Sequence, residues 1–235
     1  MPFLSAEPTA ADVAELFLGA PGVELDETNP ENRFAPAWIE KTSALLDDAA
    51  AGGAKALVIT ATGKFFTNGL DTDHIAAHAA ELPAYLDSVH ALYTKVLTLP
   101  VPTVAAINGH AFGAGAMLAL CADHLIMRTE RGYWSLPEAA LNMPFTRGMA
   151  ALLRARLPER TATEAMLTAR RYGSDDAVTA GIVDEAVAVE ELLNRAVEVA
   201  LQRAPLAGHT QTLIKRGLRR PLLDDLAVPT PPDLL

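Results

Sequence analysis

Two short apolar runs rich in β-branched residues, ALVITA at 56–61 and TVAAI at 103–107, each lead directly into a glycine-bearing turn. Neither run alternates apolar with polar residues, so each reads as a strand covered on both faces. The stretches around them have another period. From Pro36, a residue suited to a first helical turn, Trp38, Ile39, Thr42, Leu45, Leu46 and Ala49 recur at helical spacing until Gly52 and Gly53 stop the helix. A second helix is expected over about 82–97 and a helix buried on most sides over 113–122. Short strands are expected at 14–19 and 125–128. The order strand, helix, strand, helix, strand implies an α/β core with crossover connections.

Residues 21–34, PGVELDETNPENRF, are turn-rich and polar and read as a loop. The last third is helical, over about 161–169, 174–180, 189–203 and 206–219. Ser174 is the expected N-cap with Asp175 and Asp176 in the first turn, Gly181 the stop, and Pro205 the break between the last two helices. The chain accordingly divides into a core at 1–160 and a helical region at 161–235. That region is too thin for a core of its own, so it is expected to pack on the first part or on neighbouring subunits.

At 235 residues, half of them apolar, there is ample material for one large domain. No apolar run reaches 18 residues, so no membrane span is expected. A formal net charge of −10 argues against a broad nucleic-acid interface. It leaves room for a phosphate-bearing small molecule held by a few local cations. Cys121 is the single cysteine, which excludes an intramolecular disulfide. The first ten residues lack a signal or transit pattern, and PTPPDLL carries no peroxisomal tripeptide, so a cytoplasmic protein is expected.

Three segments carry candidate chemistry. In GKFFTNGLD (63–71), Gly69 permits a backbone geometry that leaves the N–H of Leu70 aimed into a cleft, although a plain strand-to-loop turn fits the same residues. In INGHAFGAGAMLA (107–119), a strand, a glycine-rich turn and a buried helix would present the N–H of Ala114 at a positive helix end. Tight helix packing would use the same glycines, and neither GxxxxGK[ST] nor GxGxxG is present. In WSLPEAALNM (134–143), Glu138 follows Pro137 among Trp134, Leu136, Ala139, Ala140 and Leu141. Desolvation there would raise its pKa and suit it to proton transfer, whereas an exposed Glu in a first helical turn is the plainer reading.

Together the three segments resemble the crotonase superfamily of enoyl-CoA hydratases and isomerases. Phe66, Gly69 and Asp71 match its FxxGxD loop; Asn108, Gly109, Gly113 and Gly115 match its NGxxxGxG turn; Pro137 and Glu138 match its PE motif. The resemblance runs from about residue 14 to about 220 and includes AVTAGIVDEAV. It implies a spiral of ββα turns with a C-terminal helical region that builds homotrimers or dimers of trimers. It also implies an acyl-CoA substrate whose thioester oxygen lies between the N–H groups of Leu70 and Ala114. Coenzyme A then belongs to the substrate, and no separate cofactor or metal is expected. Substrate contacts fall on Lys64, Asn68, Gly69 and Gly115, with the adenine against backbone near Asn68 and Leu70.

The departure from the family pattern is informative. Its hydratases carry two glutamates, and the position of the first is Met117 here, while Glu138 keeps the second. A thioether neither takes nor gives a proton. One carboxylate still suffices for a 1,3-proton shift, and the pattern around GKFF-x-NG-x-D resembles Δ3,Δ2-enoyl-CoA isomerases of the plant and bacterial type. Dienoyl-CoA isomerases need further acids, and none stands at Met117 or Thr146. Weak hydration of a 2-enoyl-CoA, acyl-CoA hydrolysis on the same fold, and a non-enzymatic acyl-CoA or RNA scaffold are the rival readings.

Other residues carry weaker signals. His74 and His78 have a spacing that can bind metal, but no HExxH or further Cys/His cluster accompanies them. His110 is expected to make a hydrogen bond to backbone, and Cys121 to pack in the core. Arg33, Lys215 and Arg216 join Lys64 as candidates for CoA phosphates.

Overall fold

A computed structural model describes residues 1–19 and 31–234; most of the loop expected at 21–34 therefore lies outside the described residues. The elements are, in order, β1 (Phe3–Leu4), β2 (Val13–Phe17), α1 (Pro36–Ala51), β3 (Ala56–Thr60), β4 (Phe65–Thr67), α2 (Thr72–Ala77) and α3 (Leu82–Thr98). Then come β5 (Thr103–Ile107), β6 (His110–Phe112), α4 (Ala114–Leu120), β7 (His124–Arg128), β8 (Trp134–Ser135), α5 (Arg147–Arg156) and α6 (Glu159–Thr168). The chain continues through β9 (Arg171–Tyr172), α7 (Ser174–Thr179), β10 (Glu185–Val187), α8 (Val189–Arg203), α9 (His209–Leu218) and α10 (Arg220–Leu226).

Strands β1-β2-β3-β5-β7-β10 form one sheet, parallel except for the β1–β2 pair, and β4-β6-β8-β9 form a second. The α/β core with crossover connections is thus present. The unbroken apolar runs are explained by what lies on each side. Leu57, Ile59, Ala105, Ile107, Leu125 and Met127 point to the face covered by α1, α3 and α4. Their neighbours Val58, Val104, Ala106 and Ile126 point the other way, against Leu192, Ala196, Val197, Val199 and Ala200 of α8. Side chains alternate along a strand, so both sets must be apolar when both faces are covered. On α1 the buried residues are the six picked out by the helical spacing.

Some local expectations are corrected. Ser174 is the first helical residue and makes no capping bond; Gly173 is the N-cap, its carbonyl accepting from the Ala177 N–H at 2.8 Å. The expected helix at 206–219 is narrower, because Gly208 at φ 135° separates it from a short 3-10 turn at Ala204–Leu206. Helices α2, α5 and α10 were not anticipated. Strand β10 joins the first sheet and β9 the second, so residues on both sides of 160 build both sheets.

The C-terminal helices are tied to the core by a buried ionic cluster. Asp123, after α4, takes Lys215 Nζ at 2.6 Å and Arg219 Nη2 at 2.7 Å, and also accepts from the Thr103 N–H and hydroxyl. Lys215 further donates to the Val101 carbonyl and Arg219 to that of Leu97. Burial alone would raise the Asp123 carboxyl, but the two cations and their hydrogen bonds hold it below its ordinary range. Lys215 is therefore occupied within the fold, which removes it from the phosphate-binding candidates.

Removing Asp123 strands two buried cations. Asp123→Ala should lower unfolding stability by about 3–5 kcal/mol in urea titrations near neutral pH. Because the carboxyl's folded pKa is depressed, its contribution is fully present above the ordinary value of 3.8. It fades as acid drives the pH through the lower folded value, so the mutant and parent curves should converge there.

Candidate active site

Parallel strands β3 and β5 end at the same edge of the sheet, so the segments that follow them are neighbours in space. After β3 the chain passes through β4 to Gly69; after β5 it passes through β6 to Gly113 and α4. Asn108 ties the two together by donating from Nδ2 to the Gly63 carbonyl at 3.1 Å.

Gly69 has φ 83°, and a β-carbon on it would lie 2.6 Å from the Phe112 carbonyl oxygen and 3.0 Å from the Ala114 nitrogen. Only glycine allows the first loop to lie this close to the first turn of α4. Gly115 sits on the same contact, its absent β-carbon 2.5 Å from the Thr67 carbonyl oxygen. Neither the Leu70 nor the Ala114 N–H has an acceptor among the described residues. For Ala114 this follows from its place at the start of a helix, whose first N–H groups have no partner in the preceding turn. All seven residues of α4 are buried, and Leu70 is partly buried.

Glu138 lies against Gly113. That glycine has φ 51° and ψ −122°, and a β-carbon on it would stand 3.0 Å from Glu138 Oε1. Oε2 is buried with no hydrogen-bond partner among the described residues. Burial pushes the carboxyl up to about 7, against a smaller downward pull from its own backbone N–H. The desolvation does not come from all the neighbours expected: Trp134 and Leu136 are buried, but Ala139, Ala140 and Leu141 are exposed. Pro137 to Asn142 form a turn held by the Leu141 and Met143 N–H groups on the Pro137 and Glu138 carbonyls. Met117 is wholly buried on α4, one turn past Gly113, whose carbonyl accepts its N–H at 3.1 Å.

Two tyrosines missed in the sequence brace this arrangement. Tyr85 and Tyr93 stand eight residues apart on α3, hence on one face. The Tyr85 hydroxyl donates to the Phe34 carbonyl at 2.9 Å and accepts the Asp71 N–H at 3.0 Å, next to Leu70. The Tyr93 hydroxyl donates to the Ala114 carbonyl at 2.8 Å. Trp134 adds a bond from Nε1 to the Ala116 carbonyl at 3.1 Å. The available signal was a pair of hydroxyl-bearing aromatics on the buried stripe of α3, which His90 shares with apolar residues.

The other candidates are dispersed. Lys64 is exposed at the mouth of the first loop, with Nζ 5.7 Å from the Phe65 ring centroid. Asn68 is engaged with Glu31, its N–H on the carbonyl at 2.8 Å and its Nδ2 on Oε2 at 2.9 Å. Arg33 pairs with Glu31 and Asp73. His110 stacks on Tyr133 at 5.7 Å, and its buried Nδ1 has no partner, so the expected side-chain bond to backbone is absent among the described residues. Burial first, then Lys64, Arg171 and Arg131, holds its pKa below the ordinary value. His74 and His78 stack on each other at 4.4 Å, and no group of three metal-binding side chains occurs among the described residues. Cys121 packs in the core with its thiol pushed up to about 12 by burial. Asp71 caps α2 by accepting from the His74 N–H.

A family model described as enoyl-CoA hydratase/isomerase matches residues 21–226. The chain belongs to this family. It is 34% identical over 165 residues to enoyl-CoA delta isomerase 2, peroxisomal, of Arabidopsis thaliana, covering 66% of this chain and 69% of that one. It is 36% identical over 154 residues to the carnitinyl-CoA dehydratase of Escherichia coli, covering 64% of this chain and 59% of that one. An enoyl-CoA hydratase/isomerase family protein from Pseudomonas syringae superposes with a TM-score of 0.84 at 27% identity, covering 92% and 90% of the two chains. A Mycobacterium tuberculosis protein described in one structure as an enoyl-CoA isomerase and in another as a probable enoyl-CoA hydratase gives 0.83 at 25% identity, the first covering 96% and 93% of the two chains. The crotonase-like fold read from the three motifs is thus present, with its C-terminal helices. No helix among the described residues is long and apolar enough to cross a membrane.

The raised pKa of Glu138 has a measurable cost to the fold. Between its ordinary value of 4.5 and about 7, the folded protein keeps a proton that the unfolded chain has released. Stability attributable to this group therefore falls as pH rises across that window. Glu138→Gln should be more stable than the parent by about 1–3 kcal/mol at pH near 8, with the gain gone near pH 4, as read by chemical denaturation at both pH values.

Proposed function

We propose that this protein moves the double bond of a 3-enoyl-CoA to the 2-position by a 1,3-proton transfer. The observation that carries this reading is one carboxyl, Glu138, with a pKa of about 7, the one that stands beside the N–H end of α4 among the described residues, while the neighbouring position on that helix is Met117. The thioester oxygen accepts from the N–H groups of Leu70 and Ala114. Glu138 removes a proton from the α-carbon; the electron pair spreads into the thioester and across the double bond. The same carboxyl returns the proton at the γ-carbon, which leaves the double bond conjugated with the carbonyl. Each oxyanion donor in a dry site contributes roughly 3–4 kcal/mol. The substrate brings its own coenzyme A, so the cycle needs no separate cofactor.

The likeness to plant enoyl-CoA delta isomerases supports this choice within the family. The likeness to a carnitinyl-CoA dehydratase supports a second reading, addition or loss of water directed by Glu138 alone. The two differ in whether one carboxyl can complete the cycle, which for a proton shift it can.

Incubation with a 3-enoyl-CoA should produce the absorbance of a conjugated thioester, faster than the same enzyme hydrates a 2-enoyl-CoA; the reverse order would favour the second reading. Isomerisation should fall by about 10²- to 10⁴-fold in Glu138→Gln. The base must be ionised, so kcat/KM should rise with pH through about 7 and level off above it. Met117→Glu should raise the ratio of hydration to isomerisation.

We also propose a homotrimer or dimer of trimers. Helix α9 and the turn before it expose Leu206, Leu213, Ile214 and Leu218, each more than half accessible in the single chain. Four such residues close together favour burial against another copy. Sedimentation equilibrium at micromolar concentration should give a multiple of three; a stable monomer would overturn the proposal.

A further inference from the structure

Two cavities lie beyond the reacting groups, and they share a wall. The larger, a recess of about 620 Å³ open to solvent, is lined by Thr72, Ile75 and Ala76 of α2, by Asn142, Met143 and Pro144, and by Leu234. It lies between the continuations of the two catalytic segments. Thr72 is two residues past Leu70, and the Met143 N–H donates to the Glu138 carbonyl at 2.9 Å. Its size is ordinary for a small-molecule site, and its lining is mostly apolar. The smaller, about 190 Å³, is lined by Leu82, Pro83, Thr230 and Pro232, and again by Ile75 and Leu234. These two side chains line both spaces, which are therefore adjacent.

The segment bearing Leu234 is held in place. Thr230 is buried and makes two bonds to Asp87 Oδ1 of α3, from its N–H at 2.9 Å and its hydroxyl at 2.7 Å. Leu234 also packs, half-buried, on the main hydrophobic core.

We propose that the larger cavity receives the acyl chain and that Leu234, fixed through Thr230 and Asp87 and set against Ile75, is the stop that determines how long a chain fits. This rests on the acyl-CoA reading above. Truncating Leu234 joins the smaller cavity to the larger and gives the far end of the chain an apolar space to enter. Each methylene buried there strengthens binding by about fourfold.

The test compares the parent with Leu234→Ala, Leu234→Trp and Thr230→Val on two readouts. One is kcat/KM for 3-dodecenoyl-CoA relative to 3-hexenoyl-CoA. The other is the Kd of the saturated dodecanoyl- and hexanoyl-CoA by calorimetry, which requires no reaction. Leu234→Ala should raise the long-to-short preference by about tenfold or more in both, and Leu234→Trp should lower it. Thr230→Val, which removes the hydroxyl anchor and keeps the volume, should shift it in the direction of the alanine variant. Ratios within about twofold of the parent for both Leu234 variants would overturn the proposal. If the parent binds both saturated ligands but isomerises neither substrate, the double-bond reading fails alone, and the binding ratio still decides the role of Leu234. If it binds neither ligand, the acyl-CoA reading and the stop fall together.

Discussion

Where Gly69 lies against the first turn of α4, two chain segments approach more closely than any side chain would allow. The absent β-carbon would stand 2.6 Å from one backbone atom and 3.0 Å from another. That approach brings two N–H groups with no acceptor among the described residues, those of Leu70 and Ala114, to one end of a buried helix. The donors are peptide groups, so no rotamer has to be chosen for them and no side-chain entropy is lost in aiming them. Much of the surrounding structure serves to keep the approach in place. The parallel pairing of β3 with β5 sets the two loops side by side, Asn108 bridges their bases, and Tyr85 and Tyr93 hold the outer ends to a single helix.

The carboxyl beside this end is tuned by what surrounds it rather than by a charged partner. Oε2 of Glu138 has no hydrogen bond among the described residues, and burial is the main cause of its raised pKa. An unpartnered buried carboxyl is normally a destabilising feature. Here it leaves a carboxyl that holds or yields a proton near neutrality. Met117 on the facing helix adds bulk to the core without adding a second titrating group.

How much of this could be read in advance depended on whether the signal was local. The helix over Pro36–Ala51 follows from its helical spacing, and the strands at 56–60 and 103–107 follow from short unbroken apolar runs bounded by turns; the structure places all three where those patterns do. The three motif segments come together because parallel strands end at a common edge. The environment of Glu138 was read from its sequence neighbours, and this was only half right. Ala139 to Leu141 turn outward, and Gly113, distant in sequence, supplies the close contact. The bracing tyrosines and the buried pairing of Lys215 with Asp123 were hidden for the same reason: each partner lies on another element. Ser174 looks like a cap by residue type, but the chain enters α7 one residue earlier, through Gly173. The short strands β4, β6, β8 and β9 have two or three residues each, too few to establish a period.

The two-sided burial of the first sheet also orders events in time. Val58, Val104, Ala106 and Ile126 are covered by α8, which begins at Val189. On a ribosome the sheet strands emerge first and wait for a helix synthesised long afterwards. At about 5–20 residues per second, a gap of some sixty residues after Ile126 leaves that face bare for several seconds. During that interval the nascent chain presents an apolar strand surface of the kind that chaperones cover and neighbouring chains stick to. The face of the sheet opposite α4 is therefore the one covered last, and α8 is the element that ends its exposure.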